Sequence, residues 1–341
     1  MGLLQWTRKR IRDYPIGAAL AFACILAYIS IQIWNYCAPL DVSNWNENQI
    51  SRIKVADPDD FTFVVFGDNK DGYYLFDVLL KDINHRDQVS FAMSLGDLVP
   101  QGDRGHFRRF VKEVQADLAT PLVTSIGNHD LYHGSSDNYR KIFGETSYSF
   151  QIGDSYFIVL DAAKEAGLDR ADRRWLEEEL KKAQASTNRF VFMHVPPFDP
   201  RGEGLDKCLQ DGKEVIPLFR QYHVTHLLAS HLHGYFSGVW EGVPYTITGG
   251  AGASLQGEDP AHFFHHFVTV RVQEGNVEVT VNRIDAAYSM ASVFDMFEDY
   301  MLDWGLLLPP TAAFLGVLIS YTRKKRGFSP WKKQSPDSPL S

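Results

Sequence analysis

Asp68, Asp97, Asn128, His129, Asp130, His194, His231 and His233 are the side chains of this 341-residue chain best suited to hold a metal or move a proton. All follow short apolar, β-rich runs. FTFVVF leads into Gly67-Asp68, SFAMSL into Gly96-Asp97, and PLVTSI into Gly127-Asn128-His129-Asp130. RFVFM leads into His194, and THLLAS into His231-Leu232-His233. Taken singly, an Asp after Gly is an ordinary turn residue, and a His at a strand end is an ordinary polar one. Five such ends together carry more weight, because sites in open α/β sheets form outside the carboxyl ends of the strands.

The donors are two carboxylates, an amide oxygen and three imidazoles. This set suits Mn, Fe, Zn or Co, whereas Ca takes all-oxygen cages. The lack of a thiolate argues against a structural zinc site. Two divalent ions about 3.5–4 Å apart would clamp a phosphate and generate hydroxide for in-line attack. His129 is placed to protonate the leaving oxygen, with Asp130 as its support.

The strands and helices that carry these residues follow from the hydrophobic pattern. Strands are expected at 61–66, 90–95, 121–126, 189–193, 225–230 and 245–250. Hairpins are expected at 147–161, turning at Gly153-Asp154, and at 267–284, turning around Glu274-Gly275-Asn276. Helices are expected at 73–85, 104–117 and 169–185, the last capped by Asp169. Strands alternating with helices give an α/β core, and the hairpins add antiparallel strands to it.

The order GD, GD, GNHD, H, HxH resembles the calcineurin-like metallophosphoesterase family over residues 61 to about 285. The stretches IFGETSYSFQIGDSYFIVLDA (142–162) and TGGAGA (248–253) resemble its bacterial, purple-acid-phosphatase-like branch. The resemblance implies a four-layer αββα sandwich with a two-metal centre, the ions being Mn, Fe or Zn. It implies that Asp97 bridges both ions and that Asn128, His194 and His231 hold the second. Asp68 and His233 would hold the first, and His129 would act as proton donor or transition-state stabiliser.

Three departures qualify this. The usual D-x-H is here Asp68-Asn69-Lys70, and a lysine ammonium is no ligand while protonated. The first ion is therefore expected to bind weakly. Lys70 then either stabilises phosphate charge, a catalytic role, or turns away to pair with Asp71. Ser230 replaces the glycine of GHxH, a change expected to be tolerated. Pro100 and Gln101 stand where the protein-phosphatase branch has the acid and arginine of GDxVDRG, which argues against that branch. Weaker candidates are His262, His265 and His266, and the loop residues His133, Arg140, Arg201 and Lys207.

Charged residues at 22% with 45% apolar exclude a disordered chain, and three cysteines exclude a disulfide-built scaffold. Cys37 and Cys208 could bridge in an oxidising compartment or remain thiols. The net charge of -8 argues against a nucleic-acid partner. It is also segregated. Residues 1–13 and 323–341 hold 10 of the 34 Lys and Arg and 2 of the 42 Asp and Glu, so the ends carry +8 and the remainder -16.

Two uncharged stretches flank the acidic middle: 14–36, long enough for a membrane span or else a cleaved signal peptide, and 304–322, near the lower limit for a span or else a buried C-terminal helix. Trp34 and Tyr36 suit an aromatic belt, and the basic ends suit the cytoplasmic side. The expected organisation is a basic tail (1–13), a transmembrane helix (14–36), a linker (37–60) and a phosphoesterase domain (61–285). A juxtamembrane helix (286–303), a second transmembrane helix (304–322), kinked at Pro309-Pro310, and a basic tail (323–341) complete it. The domain would then face the extracytoplasmic, periplasmic side, with the bilayer as partner.

The leading expectation is a membrane-anchored hydrolase of a phosphomonoester, a phosphodiester or a lipid or envelope head group. The rival is a non-catalytic metal- or phosphate-binding sensory domain on the same fold, which the change at Lys70 would favour. A nuclease is disfavoured by the acidic middle, since nucleic acid needs a positive groove.

Overall fold

The computed structural model describes residues 40–202 and 207–284, together with five positions between Phe22 and Ser30. The run from 40 to 284 belongs to one compact unit, Pro39–Val293. The expected spans, the juxtamembrane helix and both tails otherwise lie outside the described residues, as does Cys37. Among the described residues, no helix is long and apolar enough to cross a membrane.

The elements in chain order are α1 (Trp45–Arg52), β1 (Asp60–Phe66), α2 (Tyr73–His85), β2 (Val89–Ser94), α3 (Arg104–Asp117), β3 (Leu122–Thr124), α4 (Asp137–Phe143), β4 (Tyr148–Ile152) and β5 (Ser155–Val159). There follow α5 (Arg170–Ala183), β6 (Asn188–Phe192), α6 (Gly212–Gln221), β7 (His226–Ala229), β8 (Tyr235–Trp240), β9 (Val243–Thr248), β10 (His266–Gln273) and β11 (Asn276–Arg283).

Two mixed sheets form. One has the order β11-β10-β1-β2-β3 and the other β4-β5-β6-β7-β9-β8. The period-2 alternation of the central strands explains why they stack. In β1, Phe61, Phe63 and Val65 face the second sheet, while Val64 and Phe66 face helices. In β6, Phe190 and Phe192 face the first sheet and Val191 faces helices. Both faces of such strands are buried, so they read as continuous apolar runs. Helices α1 to α4 cover the outer face of the first sheet, and α5 and α6 that of the second. This is the α–β–β–α layering implied by the resemblance.

Aromatic rings fill the layer between the sheets. Phe63 stacks on Phe91 with centroids 4.8 Å apart and meets Phe157 edge-on at 5.6 Å. Phe157 stacks on Phe190 at 5.1 Å. Offset stacks and T-shaped contacts are the favoured arrangements of ring quadrupoles.

Four elements depart from the sequence expectation. Residues 45–52 lie in the stretch read as a linker, yet form α1. The carboxamide of Asn46 pairs with edge strand β3 as another strand would: Nδ2 donates to the Thr124 carbonyl at 3.2 Å and Oδ1 accepts from the Thr124 amide at 2.9 Å. Trp45 Nε1 donates to the Leu122 carbonyl at 2.8 Å. Polar residues thus close an otherwise open sheet edge. Helix α6 forms despite Pro217 within it, driven by burial of Val215, Ile216 and Phe219. Helix α4 is only seven residues long, and β8 is broken in its pattern by Ser237-Gly238.

Candidate metal centre

Five strand-to-loop junctions meet at one place. Asp68 lies two residues beyond β1, Asp97 three beyond β2, Asn128 four beyond β3, and His194 and His231 two beyond β6 and β7. Strands β1, β2 and β3 are mutually parallel, as are β6, β7 and β9, so these carboxyl ends point together within each sheet. Ligand-bearing atoms of Asp68, Asp97 and His194 lie within 4.8 Å of one another, all three residues fully buried.

The loops are tightly constrained. Asp68, Asp97 and His231 have φ of 58°, 54° and 70°, a left-handed conformation disfavoured for side-chain-bearing residues. Three such residues in one cluster store strain of about 1–3 kcal/mol each, which the surrounding packing must hold in place. Gly127 is required by proximity, because a Cβ there would lie 2.4 Å from Asp97 Oδ1. At Gly67 a Cβ would meet the Ser230 hydroxyl at 2.1 Å.

One half of the centre is built of lone pairs. His194 Nε2 and His231 Nδ1 lie 3.0 and 3.1 Å from Asn128 Oδ1 and 3.3 Å from each other. Asp97 Oδ1 is 3.4 Å from His194 Nε2. Each imidazole has its other nitrogen anchored. His194 Nδ1–H donates to the Leu95 carbonyl at 2.9 Å, and His231 Nε2–H to Glu165 Oε1 at 2.9 Å. In its neutral form, a ring so anchored presents an acceptor, not a donor, through its other nitrogen. Oxygen and nitrogen atoms about 3.0–3.4 Å apart are spaced as neighbours around one cation with bonds of about 2.1 Å. Asp97, Asn128, His194 and His231 therefore fit a transition-metal ion.

The other half is different. Lys70, buried, places Nζ 2.5 Å from Asp97 Oδ2. Its partner is thus the carboxylate expected to bridge two ions, and not Asp71. Asp68 Oδ2 accepts from the Ser230 hydroxyl and from the His231 amide, the latter at 2.8 Å. Asp68 Oδ1 is buried without a hydrogen bond, with His233 Nε2 3.3 Å away. His233 Nδ1–H donates to the Ser254 carbonyl at 2.6 Å.

Electrostatics follow this arrangement. Burial opposes charge on Asp68, but His233, His194 and Lys70 beside it hold its carboxyl well below the usual range. Burial also opposes charge on His233, yet the Asp68 carboxylate raises that imidazole above its ordinary value. His231 is pushed down to about 4, by burial first and by His194 second.

His129 sits at the rim. Its amide donates to Asp97 Oδ1 at 2.8 Å, and its Nδ1–H donates to the Pro100 carbonyl at 2.9 Å, which leaves Nε2 for proton transfer. Asp130 does not touch the His129 ring in these bonds. Its carboxyl group accepts from the amides of Leu98 and Val99 (2.9 and 3.3 Å) and of Gly127 (2.8 Å), tying together the loops that carry Asp97 and Asn128. Burial and the neighbouring Asp97 push its carboxyl well above the usual range. The support for His129 is a backbone carbonyl, and Asp130 is a brace.

Glu165 was not read from the sequence as part of the site. It lies in the loop after β5, whose strand-end position is the only sequence signal for it. Of the weaker candidates, Arg140 pairs with Glu145 at 2.5 Å and Arg201 with Asp199 at 2.6 Å. His262 and His265 donate to backbone carbonyls of Tyr235 and Gly250.

The calcineurin-like phosphoesterase model matches residues 61–235, just over half of the chain. A probable cyclic nucleotide phosphodiesterase of Rhodopseudomonas palustris is 28% identical over 174 residues, 48% of this chain and 63% of that protein. A second protein of the same description, from Xenorhabdus bovienii, is 24% identical over 179 residues, 47% of this chain and 69% of that one. The chain thus spans just under two thirds of the length of the first of these relatives. Among solved structures, a purple acid phosphatase from yellow lupin seeds superposes with a TM-score of 0.52 at 13% identity, over 67% of this chain and 52% of that one. A dimetal phosphatase from Danio rerio gives 0.50 at 17% identity, over 67% of this chain and all of that one. These likenesses show the fold, and the family match goes further: the chain belongs to the calcineurin-like phosphoesterase family.

Proposed function

We propose that this protein is a metal-dependent phosphodiesterase whose substrates are of the cyclic nucleotide class. The observation that carries the reaction type is the acceptor-only cluster of Asn128, His194 and His231 beside Asp97, which suits a divalent cation. The substrate class is supported by the description borne by its relatives in Rhodopseudomonas palustris and Xenorhabdus bovienii. A divalent ion bound there would supply Lewis acidity and a water of lowered pKa. The chain's own residues do the rest. His129, oriented by the Pro100 carbonyl, delivers a proton from Nε2 to the leaving oxygen. Lys70 adds a buried positive charge beside the phosphoryl site.

The terminal patterns support a second part of the reading. Residues 14–36 and 304–322, with their basic flanks, suit anchoring with both ends cytoplasmic and the domain outside. Such an enzyme would act on phosphodiesters available on that side of the membrane. Labelling of single cysteines introduced into the loops of the 61–285 domain, by a membrane-impermeant reagent in intact cells, tests this. Protection of all of them would contradict it.

The Lys70–Asp97 ion pair favours one rival, a binding domain without turnover. The full-length chain, reconstituted with Mn, should hydrolyse bis-p-nitrophenyl phosphate and a 3′,5′-cyclic nucleotide faster than p-nitrophenyl phosphate. Binding of cyclic nucleotide without turnover would support the rival. A preference for the monoester would overturn the substrate class.

A further inference from the structure

We infer that the Lys70 ammonium takes the place of the first of the two ions, so that the centre holds one divalent cation and is matched to a singly charged phosphodiester. The inference rests on the metal-centre reading above. Three observations on the first half of the centre lead to it.

Asp97 is the carboxylate that two ions would have to share. Its Oδ1 faces the lone-pair cluster, but its Oδ2 already carries the Lys70 Nζ at 2.5 Å, with both side chains buried. An ammonium has three donors and no lone pair, so it can neutralise that oxygen but cannot share an ion with it. A second cation on Oδ2 would have to expel Lys70 or sit against its charge where water cannot screen it.

Asp68 is equally committed. Its Oδ2 is taken by the Ser230 hydroxyl and the His231 amide. Ser230 stands where the related motif has glycine, so this chain has gained a donor onto a carboxylate at the site where it has lost an imidazole. What remains for a first ion is Asp68 Oδ1 and His233 Nε2, two donors 3.3 Å apart. The second half keeps four: Asp97 Oδ1, Asn128 Oδ1, His194 Nε2 and His231 Nδ1.

The charge balance then points to a substrate. Asp68 and Asp97 are neutralised by Lys70 and one divalent ion with a single positive charge to spare. Two ions in addition to Lys70 would leave three. A phosphodiester carries one negative charge at neutral pH and a phosphomonoester close to two. One ion with Lys70 thus leaves less positive charge at these two carboxylates than two ions would, which favours the singly charged diester over the monoester.

Metal counting tests this without reference to turnover. The full-length chain is stripped with chelator, reloaded with excess Mn²⁺, desalted, and its Mn-to-protein ratio and electron paramagnetic resonance spectrum recorded. The expected result is one Mn per chain with the six-line pattern of an isolated ion. Lys70→His should bind two, with the multiline signature of a coupled pair. Two ions in the unaltered chain would overturn the inference, and that measurement needs no variant to fold. One ion in both proteins, with Lys70→His shown folded by circular dichroism, would also overturn it, since Lys70 would not be what excludes the first ion. No ion in the unaltered chain would overturn the metal centre and the inference with it. A chain that binds one ion but turns over no phosphodiester leaves the count standing and removes the proposed activity. Two ions with turnover do the reverse.

Discussion

His231 Nε2–H donates to Glu165 Oε1 at 2.9 Å, and this bond turns Nδ1 toward Asn128 Oδ1 and His194 Nε2. Glu165 is half exposed, so its removal leaves the core intact. Loss of such an outer partner typically costs 10- to 100-fold in metal affinity. Glu165→Ala is expected to raise the Mn dissociation constant by about that factor, with an unchanged circular dichroism spectrum. Unaltered affinity would show that His231 is oriented by something else.

His129 is assigned as proton donor, and the leaving group reveals whether it is one. An alkoxide needs a proton, whereas p-nitrophenolate departs readily without one. His129→Ala should lower kcat by roughly 10²–10⁴-fold for a cyclic nucleotide and by much less for bis-p-nitrophenyl phosphate. Equal losses on both would assign it to charge stabilisation instead.

How much of this could be read from the chain alone depends on how local the signal is. The strand-end placement of the candidate ligands is legible because each follows a run such as FTFVVF or RFVFM, whose length and β-branched or aromatic content mark a strand end. The partners of those ligands were not. Lys70 reaches Asp97 across 27 residues, and Glu165 reaches His231 across 66. Asp130 adjoins His129 in sequence, but a turn sends its carboxylate to the amides of Leu98, Val99 and Gly127. Helix α1 has too few apolar residues to announce itself. It is held by Trp45 and by an Asn46 carboxamide that mimics a strand.

That carboxamide gives a stability prediction. Asn46→Ala strips the buried Thr124 amide and carbonyl of their partner on that side. Tyr139 and Tyr148 still donate to the carbonyl, at 3.0 and 2.6 Å, but the amide has no such substitute. The cost of an unsatisfied buried group is about 1–3 kcal/mol. Denaturant unfolding should show a loss in that range. Because β3 leads into Gly127-Asn128-His129, weaker Mn binding should accompany it.

His266 is fully buried, and burial pushes its imidazole down to about 4. Between that value and the ordinary value of about 6.5 the unfolded chain binds a proton that the folded chain refuses. Stability is therefore fully present above the ordinary value and falls as pH drops through this window, by up to about 3 kcal/mol. His226, also pushed down to about 4 by burial, acts with the same sign. His266→Phe keeps an aromatic ring among Tyr235 and Phe264 and removes the titration. Unfolding free energies measured from pH 4 to 7 should show a shallower slope in the variant. An unchanged slope would contradict the assignment.

Turnover should depend on a cation held by Asp97, Asn128, His194 and His231. Titration of Mn²⁺ into the metal-stripped full-length chain, with bis-p-nitrophenyl phosphate hydrolysis and bound Mn followed together, measures this dependence. The expected result is no turnover without metal, turnover rising in step with bound Mn, and loss of both in His194→Ala. Hydrolysis at full rate in the stripped chain, or Mn bound by His194→Ala as tightly as by the unaltered chain, would contradict it.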